Sequence, residues 1–165
     1  MNEDATETIV DREAAATRDR KLQLRLWLRL LTCAHMIETE IRSRLRVEFK
    51  TTLARFDVLA QLDAASGALS MGELSARLMV TNGNVTGLIA GMADEGLVSR
   101  LPHPTDGRST LISLTPTGES FFRDMAPRHE GWIDELMHDM ARDDMVGLMD
   151  LLATLKRSVG NASST

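Results

Sequence analysis

Short polar side chains and glycines are concentrated in one segment near the middle of the chain, residues 81–87. Threonine hydroxyls and asparagine amides donate and accept hydrogen bonds, and an asparagine amide can pair through two hydrogen bonds with an adenine base. Glycine adds no side-chain bulk, so it permits the close approach of a partner. The segment therefore suits contact with the bases or phosphates of DNA, through the candidate residues Thr81, Asn82, Asn84, Thr86 and Gly87.

A second candidate contact is the polar loop over residues 102–109, which is rich in turn-forming residues. Arg108 lies at its tip, and Asp106 is close enough along the chain to orient the guanidinium. Arginine is favoured in a narrow minor groove because the electrostatic potential there is strongly negative. Arg108 is the only basic residue between positions 102 and 114, so the nonspecific attraction to phosphates is expected to be modest.

Two short helices and two strands must position these residues. A capping box, S-x-x-E at residues 70–73, starts the first helix, and Thr81 is the expected N-cap of the second, which ends at Gly96. Strand-like runs at 97–101 and 110–114 flank the polar loop. A helix-turn-helix followed by a hairpin predicts a winged helix, whose second helix fits the DNA major groove while the hairpin reaches the backbone or minor groove.

Long amphipathic helices flank this unit. A helix that starts near residue 20 has a wide apolar face at spacings of three and four residues, through Trp27, Leu30, Ala34, Ile37, Ile41 and Leu45. After Thr115 and Pro116, an N-cap and first-turn proline, another helix is expected to kink at Pro127. A last helix, capped by Asp143, is expected to bury Met145, Leu148, Met149, Leu152 and Leu155. The first face needs more cover than a small domain provides, which predicts a second subunit.

The fold class that follows is mostly α with a small β-hairpin wing (α+β), a winged helix-turn-helix with long N- and C-terminal dimerisation helices. The predicted organisation is an acidic flexible arm at 1–19 and a dimerisation helix at 20–50, followed by a DNA-binding domain at 51–114 and C-terminal dimerisation helices at 115–160. The chain has 165 residues, which suffices for one domain with a sizeable core.

The net charge of −5 hides a strong asymmetry along the chain. Residues 20–55 carry nine bases and three acids, whereas residues 124–150 carry two bases and eight acids. The DNA-binding segment is only mildly acidic, with four bases and seven acids over residues 56–123. Oppositely charged segments of this kind often face one another within or between chains, so the total charge does not exclude a DNA partner.

The residues from Leu53 to Gly118 resemble the MarR family of transcriptional regulators. The resemblance is carried in order by RFDVL at 55–59, LSARL at 74–78, TNGNVTGLI at 81–89, EGLVSR at 95–100, DGRS at 106–109 and LTPTG at 114–118. It implies a homodimer that places two winged helices on a pseudo-palindromic DNA operator, with repression as the expected outcome. It also implies a recognition helix at 81–93, a wing arginine at Arg108 and its partner aspartate at Asp106.

The resemblance further implies a small-molecule effector that binds between the dimerisation and DNA-binding parts. The asparagine- and threonine-rich segment is similar to that of relatives that control aromatic-acid catabolism, so an aromatic acid or its CoA thioester is the expected effector. An arginine cluster can grip the phosphates of a CoA. The candidate effector-binding residues are His35, Arg42, Arg44, Arg46 and Arg55.

The sequence gives less support to two other sensing chemistries, peroxide sensing and metal sensing. Some MarR-type repressors sense peroxide through a first-helix cysteine, but those relatives use nearby tyrosines and this chain has none. Cys33 lies on an apolar stripe, so we expect it to be a small buried hydrophobe. His35, His103, His129 and His138 have no compact ligand spacing, so no metal site and no cofactor are predicted.

An enzyme is not predicted, because the sequence contains no nucleophile elbow, phosphate-binding loop or HExxH motif. The remaining alternative is a winged-helix module that binds proteins instead of DNA. No apolar run approaches the roughly 18 residues that span a bilayer, and the acidic N-terminus is unlike a signal peptide. A cytoplasmic protein without a membrane partner is therefore expected.

Overall fold

The computed structural model describes residues 22–78, 82–103 and 109–162. The helices in these ranges are α1 (Leu22–Phe49), α2 (Leu53–Ala65), α3 (Met71–Leu78), α4 (Asn82–Asp94), α5 (Pro116–Leu136) and α6 (Arg142–Ala162). The strands are β1 (Leu69–Ser70), β2 (Val98–Pro102) and β3 (Thr110–Leu114). This order confirms a mostly helical winged helix-turn-helix, and none of the described helices has an apolar stretch long enough to cross a membrane.

Helix α1 is 28 residues long and follows the predicted apolar periodicity. The C-terminal half of its stripe is buried, with Ile41 and Leu45 at 2% and 0% exposure. The N-terminal half is open in the single chain, where Trp27 is 58% exposed. The acidic arm predicted at 1–19 lies outside the described residues.

Local sequence signals place the ends of several helices. Thr52 caps α2 by accepting the Arg55 N–H, and the capping box is complete, because Ser70 N–H donates to Glu73 Oε2 while Glu73 N–H donates to Ser70 Oγ. Helix α4 ends at Asp94, two residues before Gly96, where φ is +73°. There the Gly96 and Leu97 N–H groups donate to the carbonyls of Ala93 and Met92, which is a Schellman motif. Thr81, the predicted cap of α4, lies outside the described residues.

The hairpin is part of a three-stranded antiparallel sheet in the order β1-β3-β2. Strands β2 and β3 pair from Val98↔Leu114 to Pro102↔Thr110, as the two strand-like runs predict to within one residue. Strand β1 was not predicted from the sequence. It has only two residues, too few for an alternating pattern, and it exists because Leu69 and Ser70 pair with Ile112 and Leu111.

The core of the winged helix-turn-helix is aliphatic and lies where α2, α3, α4 and β3 converge. Helix α4 contributes one face to it at spacings of three and four residues, through Val85, Ile89 and Met92, each at most 1% exposed. The other core members include Val58, Leu59, Leu62, Leu74 and Ile112. Burial of this face fixes which side of α4 is left for a partner.

The chain divides into two compact units between His129 and Glu130, within α5. Helix α5 continues through Pro127 without interruption and ends at Leu136. The expected burial by α6 is wrong for the single chain: Leu148, Met149 and Leu152 are exposed, and none of its described residues is buried. The apolar residues of α6 are therefore not buried by the described residues of a single chain.

Candidate nucleic-acid interface

The exposed face of α4 is made of short polar residues and glycines. Gly83 and Gly87 are exposed on the side opposite the buried residues of the same helix, and Asn84 and Thr86 are exposed on its two flanks. Asn82 begins the helix, but its side chain, like all of Thr81, lies outside what the structure describes. The members of the sequence-predicted set that can be placed are therefore all exposed, across the outer half of α4.

The glycines of this face are not required by packing within the chain. A Cβ added at Gly83 or Gly87 would meet no atom of the described residues within 4 Å. Glycine inside a helix costs about 1 kcal/mol relative to alanine, and neither position has a positive φ to justify it. Packing within the described part of the chain therefore does not account for these glycines, whereas the missing side chains would allow a partner to approach α4 closely.

The wing is described up to its tip. His103 N–H donates to the Ser109 carbonyl at 3.0 Å and closes the described end of the hairpin. Asp106 and Arg108 fall within 104–108, outside the described residues, so their predicted roles stay predictions. On the strands, Ser99 Oγ and Ser113 Oγ form a cross-strand hydrogen bond of 2.7 Å that ties β2 to β3.

The surroundings of three acidic side chains in the winged helix-turn-helix shift their pKa values. Two hydrogen bonds from Ser70 lower the pKa of Glu73, and a hydrogen bond from Arg55 lowers that of Glu95. Burial, with some repulsion from Glu38, raises the pKa of Asp57. The carboxylates of Glu73 and Glu95 therefore both stay ionised, and only the charge of Glu95 is offset by a cation, the guanidinium of Arg55.

Two basic residues that the sequence analysis did not single out also lie on this part of the chain. Arg77 is exposed in the last turn of α3, and Arg100 is exposed on β2. A basic side chain at the end of the first helix of a helix-turn-helix is the signal that could have identified Arg77, because that helix crosses the DNA backbone. Both are candidates for phosphate contacts.

The candidate effector residues do not form one cluster. His35, Arg42 and Arg46 are exposed on α1 at spacings of seven and four, which places them on one helix face. Arg44 lies on a different face and donates to Glu40 at 2.7 Å, while Arg42 donates to Glu38 at 2.8 Å. Arg55, on α2, donates to Glu95.

The expectation that Cys33 is buried is wrong for the single chain, because its side chain is exposed. The apolar stripe that it belongs to is covered only in its C-terminal half, and Cys33 lies in the open half. The peroxide-sensing alternative stays a prediction. Among the described residues, no group of three or more His, Cys, Asp or Glu side chains could hold a metal ion.

A cavity of about 290 Å³ opens beside α4 and is bounded by Ala54, Asp57, Leu78, Asn84, Val85 and Leu88. Asn84 thus borders both the exposed face of α4 and this cavity. An occupant of the cavity would contact a side chain that the sequence places at the DNA interface.

A short helix, a second helix with a polar outer face, and a β-hairpin directly after it define a winged helix-turn-helix protein. Comparison with known proteins narrows this class. The model of the MarR family matches residues 49–109. Transcriptional activatory protein BadR of Rhodopseudomonas palustris is 32% identical over 148 residues, which are 84% of each chain. The chain belongs to the MarR family.

Other relatives agree with this assignment. The transcriptional repressor YetL of Bacillus subtilis is 33% identical over 102 residues, which are 61% of each chain. The fold matches that of AbsC, a MarR family regulator from Streptomyces coelicolor, with a TM-score of 0.77 and 22% identity over 88% of this chain and 99% of that one. The apo form of MarR from E. coli matches with a TM-score of 0.63 and 26% identity, over 74% and 93% of the two chains.

The chain is therefore a DNA-binding transcriptional regulator and not an enzyme, as the sequence predicted. Family membership also favours DNA binding over the alternative of a winged-helix module that binds only proteins.

Proposed function

We propose that the chain acts as a homodimer that binds a pseudo-palindromic operator, with α4 as the recognition helix in the major groove and the wing in the minor groove. The carrying observation is the outer face of α4, where small polar residues and unpacked glycines oppose the buried residues Val85, Ile89 and Met92. Such a helix fits a groove of duplex DNA and presents hydrogen-bonding groups to base edges.

The exposed apolar side chains of α1 and α6 support the homodimer. On α1 they include Leu22, Leu26 and Trp27, at 76%, 49% and 58% exposure, and on α6 they include Met149 and Leu151, both at 70%. Exposed apolar surface of this extent marks an interaction site. A second copy would cover it and set two recognition helices about one helical turn of DNA apart.

We assign a role to each segment of the chain as the sequence predicts it. Residues 1–19 form an acidic arm, residues 20–50 and 115–160 dimerise, and residues 51–114 bind DNA in the cytoplasm. Repression follows when the operator overlaps a promoter, because the bound dimer blocks polymerase. Activation is the second candidate, since the relative BadR is named an activatory protein. Transcription in vitro from the gene's own promoter, with and without the dimer, separates the two.

DNA binding is tested by selecting a duplex from a random pool with the full chain and measuring its affinity over a range of salt. We expect specific binding that weakens steeply with salt, because phosphate contacts release counterions. Arg108→Ala is expected to weaken it about tenfold through loss of the minor-groove contact. The absence of any selected duplex at low salt would contradict the proposal.

Arg123→Ala is the matched control for Arg108→Ala. Arg123 is exposed on α5, and its loss removes the same charge from a position outside the wing. Bulk electrostatics would weaken both variants equally, whereas a wing contact weakens only the first. Equal affinities would rule out the role assigned to Arg108.

The proposed effector is an aromatic acid or its CoA thioester, bound at the α1 face that carries His35, Arg42 and Arg46. Calorimetric titration with benzoyl-CoA and hydroxycinnamoyl-CoA is expected to show binding that loosens the DNA complex. Arg46→Gln should weaken binding about tenfold, because a hydrogen bond to a charged group contributes about 1.5–3 kcal/mol. Arg44→Gln, on a different face and held by Glu40, is the control. No heat and no release of DNA would contradict the proposal.

A further inference from the structure

An ion pair joins two helices at the end of α4 that is remote from Asn84. Arg55, in the first turn of α2, donates from Nη2 to Oε2 of Glu95, the residue directly after α4. The partners are separated by 40 residues of chain. The side chain of Arg55 is 20% exposed and that of Glu95 is 55% exposed, so the pair lies at the edge of the packed core.

Local helix energetics do not explain an acid at this position. The C-terminus of a helix carries a partial negative charge, and acidic side chains there are unfavourable while basic ones are favourable. Helix α4 ends in Asp94 and Glu95 and has no basic residue in its last turn. The guanidinium of Arg55 supplies from α2 the positive charge that the helix itself lacks.

The same end of α4 is held from a second side. Thr115, the cap of α5, donates from Oγ1 to the Gly96 carbonyl at 2.6 Å, and its N–H donates to the Leu97 carbonyl at 3.2 Å. Arg55 from α2 and Thr115 from the start of α5 thus fasten the joint between α4 and β2. Both contacts lie within the first compact unit of the chain.

We propose that Arg55 and Glu95 are positioning residues for DNA recognition, and that their ion pair sets the angle of α4. This inference rests on the proposed function of α4 as the recognition helix. Asn84 lies eleven residues from Glu95, or about 16 Å at 1.5 Å per residue. A tilt of about 5° at the fastened end therefore moves Asn84 by about 1.4 Å, enough to break a base contact whose length must be near 2.9 Å.

Glu95 is the one side chain to which the guanidinium of Arg55 donates among the described residues. The Nε of Arg55 is buried and has no hydrogen-bond partner among the described residues. The side chain points its charge at Glu95, which leaves it poorly placed for an effector. The geometry assigns Arg55 to α4 instead of to the effector-binding set that the sequence suggested.

Glu95→Gln tests the proposal because its expected effect opposes simple electrostatics. Removal of a negative charge from a DNA-binding surface should by itself raise affinity for any DNA. We expect instead that affinity for the selected duplex falls about tenfold, while affinity for random DNA stays within about twofold. Both affinities are measured at one salt concentration with the full chain, alongside its thermal unfolding.

Asp94→Asn is the matched control. Asp94 is the residue before Glu95, its side chain is exposed, and its substitution removes the same charge. The double variant Arg55→Glu with Glu95→Arg restores an ion pair of inverted polarity and should recover most of the specific affinity. Equal behaviour of Glu95→Gln and Asp94→Asn would overturn the proposal, and so would parallel loss of specific and random binding. Failure of the wild type to select any duplex would instead contradict the proposed function.

Discussion

Substitution of Gly118 by alanine is expected to destabilise the folded chain by about 3 kcal/mol or more. A Cβ at this position would lie 2.0 Å from the Leu97 carbonyl oxygen and 3.0 Å from its carbonyl carbon. Both are backbone atoms, so no side-chain rotation can relieve the overlap. Gly118 is buried in the first turn of α5, and its N–H donates to Thr115 Oγ1 at 3.0 Å, so the backbone cannot shift without loss of the cap.

Thermal unfolding of the purified chain measures this effect. A loss of 3 kcal/mol corresponds to a fall in Tm of about 6–12 °C for a protein of this size. Gly72→Ala is the control, because Gly72 is exposed in α3 and an added Cβ meets no atom within 4 Å. That substitution should be neutral or stabilise by up to about 1 kcal/mol. Similar Tm values for the two variants would show that the α4–β2 joint is not tightly packed.

Asn84→Ala is expected to weaken binding to the selected duplex by about 1–3 kcal/mol per half-site, or roughly 5- to 150-fold. Asn84 is exposed on the outer face of α4, and its amide can form two hydrogen bonds with the edge of an adenine. Its truncation removes those bonds without removing a charge. The salt dependence of binding should therefore stay unchanged, and the loss should be confined to one base position.

Repeated selection of DNA with the Asn84→Ala variant measures this effect, since the preferred base at one position per half-site should become degenerate. Asn161→Ala is the control, because Asn161 is exposed near the C-terminal end of α6 and lies outside the DNA-binding part. Unchanged preference at every position would exclude base readout by Asn84. Asn84 would then contact only solvent or an occupant of the adjoining cavity.

The mild acidity of the proposed DNA-binding part bears on the DNA affinity that Asn84→Ala is expected to lower. The carboxylates of Glu73 and Glu95 accept hydrogen bonds from Ser70 and Arg55, and burial raises the pKa of Asp57. The formal charge of residues 56–123 leaves out the guanidinium of Arg55, which offsets the charge of Glu95. Affinity is expected to come from two half-sites bound by one dimer and from a few well-placed side chains, so single substitutions at the interface should have large effects.

The elements of the fold were largely predictable from the chain alone, because their signals are local. The Ser70–Glu73 capping box, the Gly96 stop and the Thr115-Pro116 start each act over three or four residues, and all occur where expected. The apolar face of α4 was also predictable, since its spacing is that of a helix. The same pattern identified the outer residues of α4 as the surface left for a partner.

Burial in the long helices was predicted less well. Cys33 and the apolar residues of α6 lie on regular stripes, yet they are exposed in the single chain. Periodicity reveals that a face is apolar but not which molecule covers it. Strand β1 was missed for a related reason, because two residues carry no pattern and their pairing with β3 is a contact across the fold.

The amino-acid sequence was sufficient to identify the family, the helix proposed to face DNA and the positions of the helix-ending signals, because these depend on residues close together in the chain. The pairing of Arg55 with Glu95, 40 residues away, depends instead on how α2 packs beside the end of α4. The close approach of Gly118 to the Leu97 carbonyl arises in the same way, from α5 packed against that joint. The spacing of residues along the chain does not predict such contacts, because any of several basic residues could have paired with Glu95.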